Sequence, residues 1–180
     1  MLWPRMKLPL VIFMLAIALA ACGGHDSEPA PVCTNNAGCA PTLVCLTGQC
    51  VDALTQQYSV SLKISVAQLE PDGTEWDGDG SPPDVEATLG PASGGNAFTG
   101  QDVLSLGVQE TFNASWPAVV AQFNGDALAL TAQDSDPFGA DSICTVAMPD
   151  TVSLLHQAGG VFSATSCQVT LALTPVAPVQ

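Results

Sequence analysis

From Tyr58 the chain alternates with a period of two. Tyr58, Val60, Leu62, Ile64 and Val66 are apolar, with Ser59, Ser61, Lys63, Ser65 and Ala67 between and after them. Successive side chains of a strand point to opposite faces, so the pattern predicts a strand buried on one face. The same reading predicts strands at Val85–Leu89, Glu110–Asn113, Val119–Phe123, Ala127–Gln133, Ser142–Met148 and Phe162–Leu173. Turn chemistry separates them at Asn124-Gly125-Asp126, Pro137-Phe138-Gly139 and Gly159-Gly160. Asn124-Gly125, between two short apolar runs, predicts a hairpin. No window sustains a helical period, which limits helix to about one turn near Pro149–Leu155. About seven or eight short strands over about 120 residues predict an all-β, antiparallel two-sheet sandwich, residues 57–176.

The N-terminal pattern is different. Arg5 and Lys7 precede a nearly continuous apolar run, Leu8–Ala21. As a helix that run reaches about 21 Å, short of the roughly 30 Å hydrocarbon core of a bilayer. Residues 1–21 therefore read as a secretory signal peptide. The run ends in Leu19-Ala20-Ala21-Cys22, which resembles the lipobox of bacterial lipoproteins. The resemblance implies cleavage before Cys22, a diacylglyceryl group on its sulfur, and palmitate-type acylation of the new amine. Several acyl chains on one residue give stable anchoring to a membrane without a spanning segment. Gly23 after the cysteine, in place of Asp, implies the outer membrane, at its periplasmic or cell-surface face. Residues 22–31, rich in Gly, Pro and acids, read as a flexible tether.

Seven cysteines are present, and lipidation of Cys22 leaves six. An even number in an exported, oxidising setting predicts disulfides. Cys33, Cys39, Cys45 and Cys50 cluster within residues 32–52, a stretch too short to bury a core and in need of staples. Their wide spacing and the absence of a nearby His in the sequence oppose a zinc site. All three pairings within this mini-module are open. The stretch resembles small cysteine-rich repeats of EGF-like or Dickkopf-like spacing. Cys144 and Cys167 share parity with buried positions of two separate runs, so both sulfurs are expected to face one interior and pair there.

Charge changes the picture further. The chain has 17 Asp and Glu against 3 Lys and Arg, a net charge of −14. Without residues 1–21 the 17 acids face Lys63 alone, a net charge of −16. A nucleic-acid surface, which needs clustered Lys and Arg, is excluded as a function class. A composition that is 47% hydrophobic excludes a disordered acidic tail. The acids are unevenly spread: Glu70–Glu86 holds seven and Asp134–Asp141 three. Crowded carboxylates repel, and Asp-rich loops are what hard cations such as Ca²⁺ take as oxygen ligands.

Four segments in order resemble a C2 domain, the calcium- and phospholipid-binding module. They are Trp76–Leu89 (W-D-G-D-G-S-P-P-D-V-E-A-T-L), Thr111–Trp116 (T-F-N-A-S-W), Ala127–Asp136 (A-L-A-L-T-A-Q-D-S-D) and Asp141. The resemblance implies Ca²⁺ ligands at Asp77 or Asp79 with Asp84 in the first loop, and at Asp134, Asp136 and Asp141 in the second. Val85-Glu86 stands where the family has Pro-Tyr, and Pro117 follows Trp116 instead of preceding it. The basic strand patch of some members is absent. A competing pattern places Glu75, Asp77, Asp79, Gly80 and Glu86 at EF-hand loop positions, but the flanks carry no helical period and Pro82-Pro83 interrupts it.

No catalytic constellation assembles: there is no G-x-S-x-G elbow around Ser153 and His156 and no Gly-rich phosphate loop with a Lys. The expectation is a non-enzymatic, lipid-anchored envelope lipoprotein. Its C2-like domain would bind Ca²⁺, or another divalent cation, and serve in binding or adhesion toward a protein or glycan partner. The alternative is a structural lipoprotein whose C2-like domain is degenerate and metal-free.

Overall fold

The structure is a computed structural model that describes residues 32–137 and 139–177. The expected signal peptide, Cys22 and the expected tether lie outside the described residues, as does Phe138. The order of elements is β1 (Leu43–Leu46), β2 (Gln49–Asp52), β3 (Gln57–Val66), β4 (Asp84–Pro91), β5 (Leu104–Glu110), β6 (Asn113–Ser115), β7 (Val119–Gln122), β8 (Leu128–Asp136), β9 (Gly139–Ala147), α1 (Thr151–His156), β10 (Gly159–Ser163) and β11 (Cys167–Pro175).

All pairings are antiparallel. One sheet runs β10-β11-β3, with β6 and β7 both on the remaining edge of β3. They pair with its two ends, Asn113–Ser115 against Lys63–Ser65 and Val119–Gln122 against Gln57–Val60. Pro117, which cannot donate to a ladder, lies in the gap between them. The second sheet runs β5-β4-β8-β9. Alternate residues of both sheets meet in the core, among them Tyr58, Leu62 and Ile64 from β3 and Leu128, Leu130 and Ala132 from β8. Tyr58 donates its hydroxyl to the Ala53 carbonyl at 2.8 Å. Burial raises its pKa, with the charge of nearby Asp52 adding to the effect.

The mini-module is the β1–β2 hairpin with two disulfides, Cys33–Cys45 and Cys39–Cys50. This settles the pairing as first with third and second with fourth. Asn36 donates to the His156 carbonyl and accepts from the Cys45 N–H, while the His156 ring meets the Leu43 carbonyl at 2.9 Å. The module is thereby docked on α1. The third disulfide, Cys144–Cys167, joins β9 of one sheet to β11 of the other.

Several local expectations change. Asn124-Gly125 is a turn, with Gly125 at a φ of 90°, but the strands it joins do not pair. β7 lies beside β3, and β8 lies between β4 and β9, so the turn carries the chain across the sandwich. Its geometry is set by Asn124, which donates to the Phe98 carbonyl. The run Phe162–Leu173 is two strands of a hairpin, folded back where the Ala164 N–H meets the Cys167 carbonyl. Leu104–Glu110 forms a strand although Gly107 interrupts its alternation, and the expected strand at Glu110–Asn113 is the corner between β5 and β6. The second acidic segment is the end of a β-hairpin, with Asp134 opposite Asp141 and Asp136 opposite Gly139.

Candidate metal centre

The site forms where the β3–β4 connection meets the end of β8. On β8 the buried positions alternate as Leu128, Leu130, Ala132 and Asp134. Asp134 thus sits on the core-facing side of its strand, and it is 0% exposed. Its Oδ1 accepts the Asp84 backbone N–H at 2.7 Å. Its Oδ2 is buried with no hydrogen-bond partner among the described residues. Carboxylate oxygens of Asp77, Asp134 and Asp136 all lie within 4.8 Å of one another.

The electrostatics follow from that crowding. Desolvation, the largest cause, pushes the Asp134 pKa up against the lowering effect of its bond to Asp84, and the charges of Asp77, Asp136 and Asp84 push it further. Asp136 is also raised, by desolvation first and then by the charges of Asp77, Asp141 and Asp84. A buried carboxylate without a partner costs free energy, and like charges at this range add to the cost. A bound cation removes both penalties. Hard carboxylate oxygens fit a hard divalent ion, so the residues present suit the ion that the sequence resemblance implies.

Two register shifts lie beside the site: β5 carries an extra residue opposite Val85–Ala87 of β4, and β9 carries one, Ile143, opposite Ala132–Gln133 of β8. Each bulge adds twist at that end of the sheet and re-aims the side chains beyond it. The first loop is held by Trp76, which is 6% exposed and donates its indole N–H to the Ala67 carbonyl at 2.9 Å. Asp77 follows it directly in sequence.

The expected ligands divide into three groups. Asp77, Asp134 and Asp136 come together. Asp84 and Asp141 flank them, Asp84 through its N–H on Asp134 and Asp141 in the cross-strand position opposite Asp134. Asp79 is placed outside the group: its Oδ1 accepts the Ser81 N–H at 3.0 Å and the Ser81 hydroxyl at 2.7 Å. That local turn holds the Asp79 carboxyl below its ordinary pKa. The sequence signal for the turn is the Asp-Gly-Ser order, in which the acid caps a backbone N–H two residues on. The anchoring role of Trp76 has no comparably specific signal.

A second tight group of ligand-type atoms, Cys33, Cys39 and Cys50, consists of disulfide sulfurs, which are not thiolates and do not ligate as such.

No family model matches the chain, and no curated protein sequence matches it. Among solved structures, one named "BON1-C2B" is similar over 69% of this chain and 95% of that chain, at 14% identity and a TM-score of 0.46. Another, described as "Structure of a C2 domain", is similar over 65% of this chain and 98% of that one, at 14% identity and a TM-score of 0.37.

Proposed function

We propose that this is an exported lipoprotein, anchored to the bacterial outer membrane through acylated Cys22, whose sandwich binds Ca²⁺ and serves as a non-enzymatic binding or adhesion module. The observation that carries the cation reading is Asp134 Oδ2, buried and unpartnered beside the carboxylates of Asp77 and Asp136. The resemblance of Trp76–Leu89, and of Ala127–Asp136 with Asp141, to the acidic segments of C2 domains supports Ca²⁺ among the hard cations. So does the donor chemistry, since Ca²⁺ accepts several carboxylates in flexible geometry while Mg²⁺ retains most of its water. Extracellular Ca²⁺ modules bind at about 10⁻⁴–10⁻³ M, the range expected here.

The test is a melting curve of the purified protein with and without Ca²⁺, reversed by a chelator. An ion that binds only the native state must stabilise it, by about 2.7 kcal/mol at a hundredfold excess over Kd. No shift at millimolar Ca²⁺ would refute the reading. A metal-free second reading rests on the crowding itself: carboxylate oxygens of Asp77, Asp134 and Asp136 within 4.8 Å of one another are relieved by a proton as well as by a cation. That reading expects no cation response and a preference for mild acid.

A further inference from the structure

The carboxylates of the site come from separate parts of the sandwich. Asp77 belongs to the connection that leaves β3, in one sheet, whereas Asp134 and Asp136 end β8, in the other. Forward of Asp77 the chain turns locally, with the Gly80 N–H on the Asp77 carbonyl at 2.9 Å, before Pro82-Pro83 leads into β4. The tie to the sheet of β3 comes from behind. Trp76, its neighbour, donates to the Ala67 carbonyl. Ala67 continues the ladder past the end of β3, donating its N–H to the Ser166 carbonyl at 2.8 Å. Ser166 precedes Cys167, which lies opposite Val66.

Cys167 is then bonded to Cys144, with the two Cα atoms 6.2 Å apart. Cys144 lies opposite Ala132 on β8, beside the bulged residue Ile143 and two residues along β8 from Asp134. A continuous path of hydrogen bonds and one covalent bond therefore runs from the loop bearing Asp77 to the strand bearing Asp134. Its inter-sheet step is the disulfide. β9 is the edge strand of its sheet, so β8 is its sole ladder partner within that sheet.

We propose that the Cys144–Cys167 disulfide is a positioning element of the cation site, fixing the separation of Asp77 from Asp134 and Asp136. The inference rests on the cation reading above. Opening the disulfide lowers cation affinity, and by thermodynamic reciprocity the bound cation makes the disulfide harder to reduce by the same factor.

Two measurements on the whole protein test this. The first compares Ca²⁺ affinity in the wild type and in a Cys144→Ser, Cys167→Ser variant, well below the melting temperature of each. The expected loss is about tenfold, within the usual range of coupling between sites. The second titrates the wild-type disulfide with dithiol/disulfide buffers, with and without saturating Ca²⁺. Alkylation and peptide mass spectrometry score Cys144 and Cys167 separately from the module cysteines. Reduction adds two electrons and two protons to the sulfur pair, and the dithiol reagent becomes the disulfide. A tenfold coupling lowers the midpoint by about 30 mV when Ca²⁺ is bound. In protein that stays folded after reduction, checked by circular dichroism at the midpoint, a disulfide that only stabilises the fold shows no such Ca²⁺ dependence.

Trp76→Phe, which keeps the ring and removes the bond to Ala67, gives a second handle should the serine variant fail to fold. It is expected to weaken Ca²⁺ binding, and to cost little more in protein already reduced, because the two contacts act in series. Equal affinities with and without the disulfide, or a midpoint unmoved by Ca²⁺ in a wild type that binds Ca²⁺, overturns the positioning role and leaves the cation reading intact. A wild type that binds no Ca²⁺ overturns both.

Discussion

Asp134 accepts the backbone N–H of Asp84 through Oδ1 and leaves Oδ2 buried without a partner among the described residues. A carboxamide retains the first contact and replaces the second oxygen with an N–H donor beside two carboxylates. Asp134→Asn is therefore expected to raise the melting temperature of the cation-free protein by roughly 2–4 °C, about 1 kcal/mol. It should also abolish the Ca²⁺-induced shift. Melting curves of wild type and variant, each with and without Ca²⁺, check both effects. A shift that survives in the variant would place the cation elsewhere.

The two Asp residues of the first loop make opposite predictions. Asp79 caps its own turn through Ser81, and Asn can accept the same bonds. Asp79→Asn should thus leave Ca²⁺ affinity within about twofold of wild type, a few tenths of a kcal/mol. Asp77→Asn removes one of three convergent charges and should weaken binding by about tenfold or more, at least about 1.4 kcal/mol. Calorimetric titration of the pair decides which acid of this loop holds the ion. Reversed effects would mean that the loop rearranges on binding.

That distinction marks the boundary of what the sequence could show. The strand at Ala127–Gln133 was legible, but reading Asp134–Asp141 as a loop hid that its alternation, Leu128, Leu130, Ala132, runs on to Asp134 and places an aspartate on the inward face. The long alternating strand at Tyr58–Val66 was equally plain. Parity does not reveal which neighbour a strand takes. Asn124-Gly125 has the composition of a hairpin turn, yet the decision between pairing and crossing lies with β3 and β4, which take β7 and β8 as ladder partners in different sheets. The hairpin inside Phe162–Leu173 was hidden because its turn, Ala164-Thr165-Ser166, has neither Gly nor Pro. The choice between Asp77 and Asp79 depends on Ser81 capturing one carboxylate, for which the Asp-Gly-Ser order was the one sequence signal.

The pH response of the site reverses sign with cation occupancy. Asp134 and Asp136 have folded-state pKa values raised by desolvation and like charge. Between the ordinary carboxylate pKa, about 4, and those raised values, the folded state binds more protons than the unfolded one. Stability of the cation-free protein therefore rises as pH falls through that window. Asp72, Asp79 and Asp150 have lowered values, each through hydrogen bonds to a nearby hydroxyl and N–H. Their contribution is lost only below the ordinary range, so stability falls again there. With Ca²⁺ bound, protons compete with the ion for the same oxygens, and acidification lowers stability throughout. Melting temperatures from about pH 7 to about pH 4, in chelator and in Ca²⁺, should converge toward the acid end. Parallel curves would contradict this.

Gly159 offers a test of the fold that is independent of the cation. It opens β10, separated from the end of α1 by two residues, at a φ of 102°, a conformation that L side chains rarely adopt. A Cβ added there would overlap the Leu171 carbonyl and approach Ala172. These are backbone atoms of β11, the strand paired with β10, so the strain is not relieved by turning a side chain. Gly159→Ala is expected to cost about 3 kcal/mol or more. The loss should come from separation of β10 from β11, since α1 and β3 have other partners. Denaturant unfolding measures the total, and hydrogen exchange at Val161 and Ser163 locates it. A loss under about 1 kcal/mol would mean that the α1–β10 connection takes a different path.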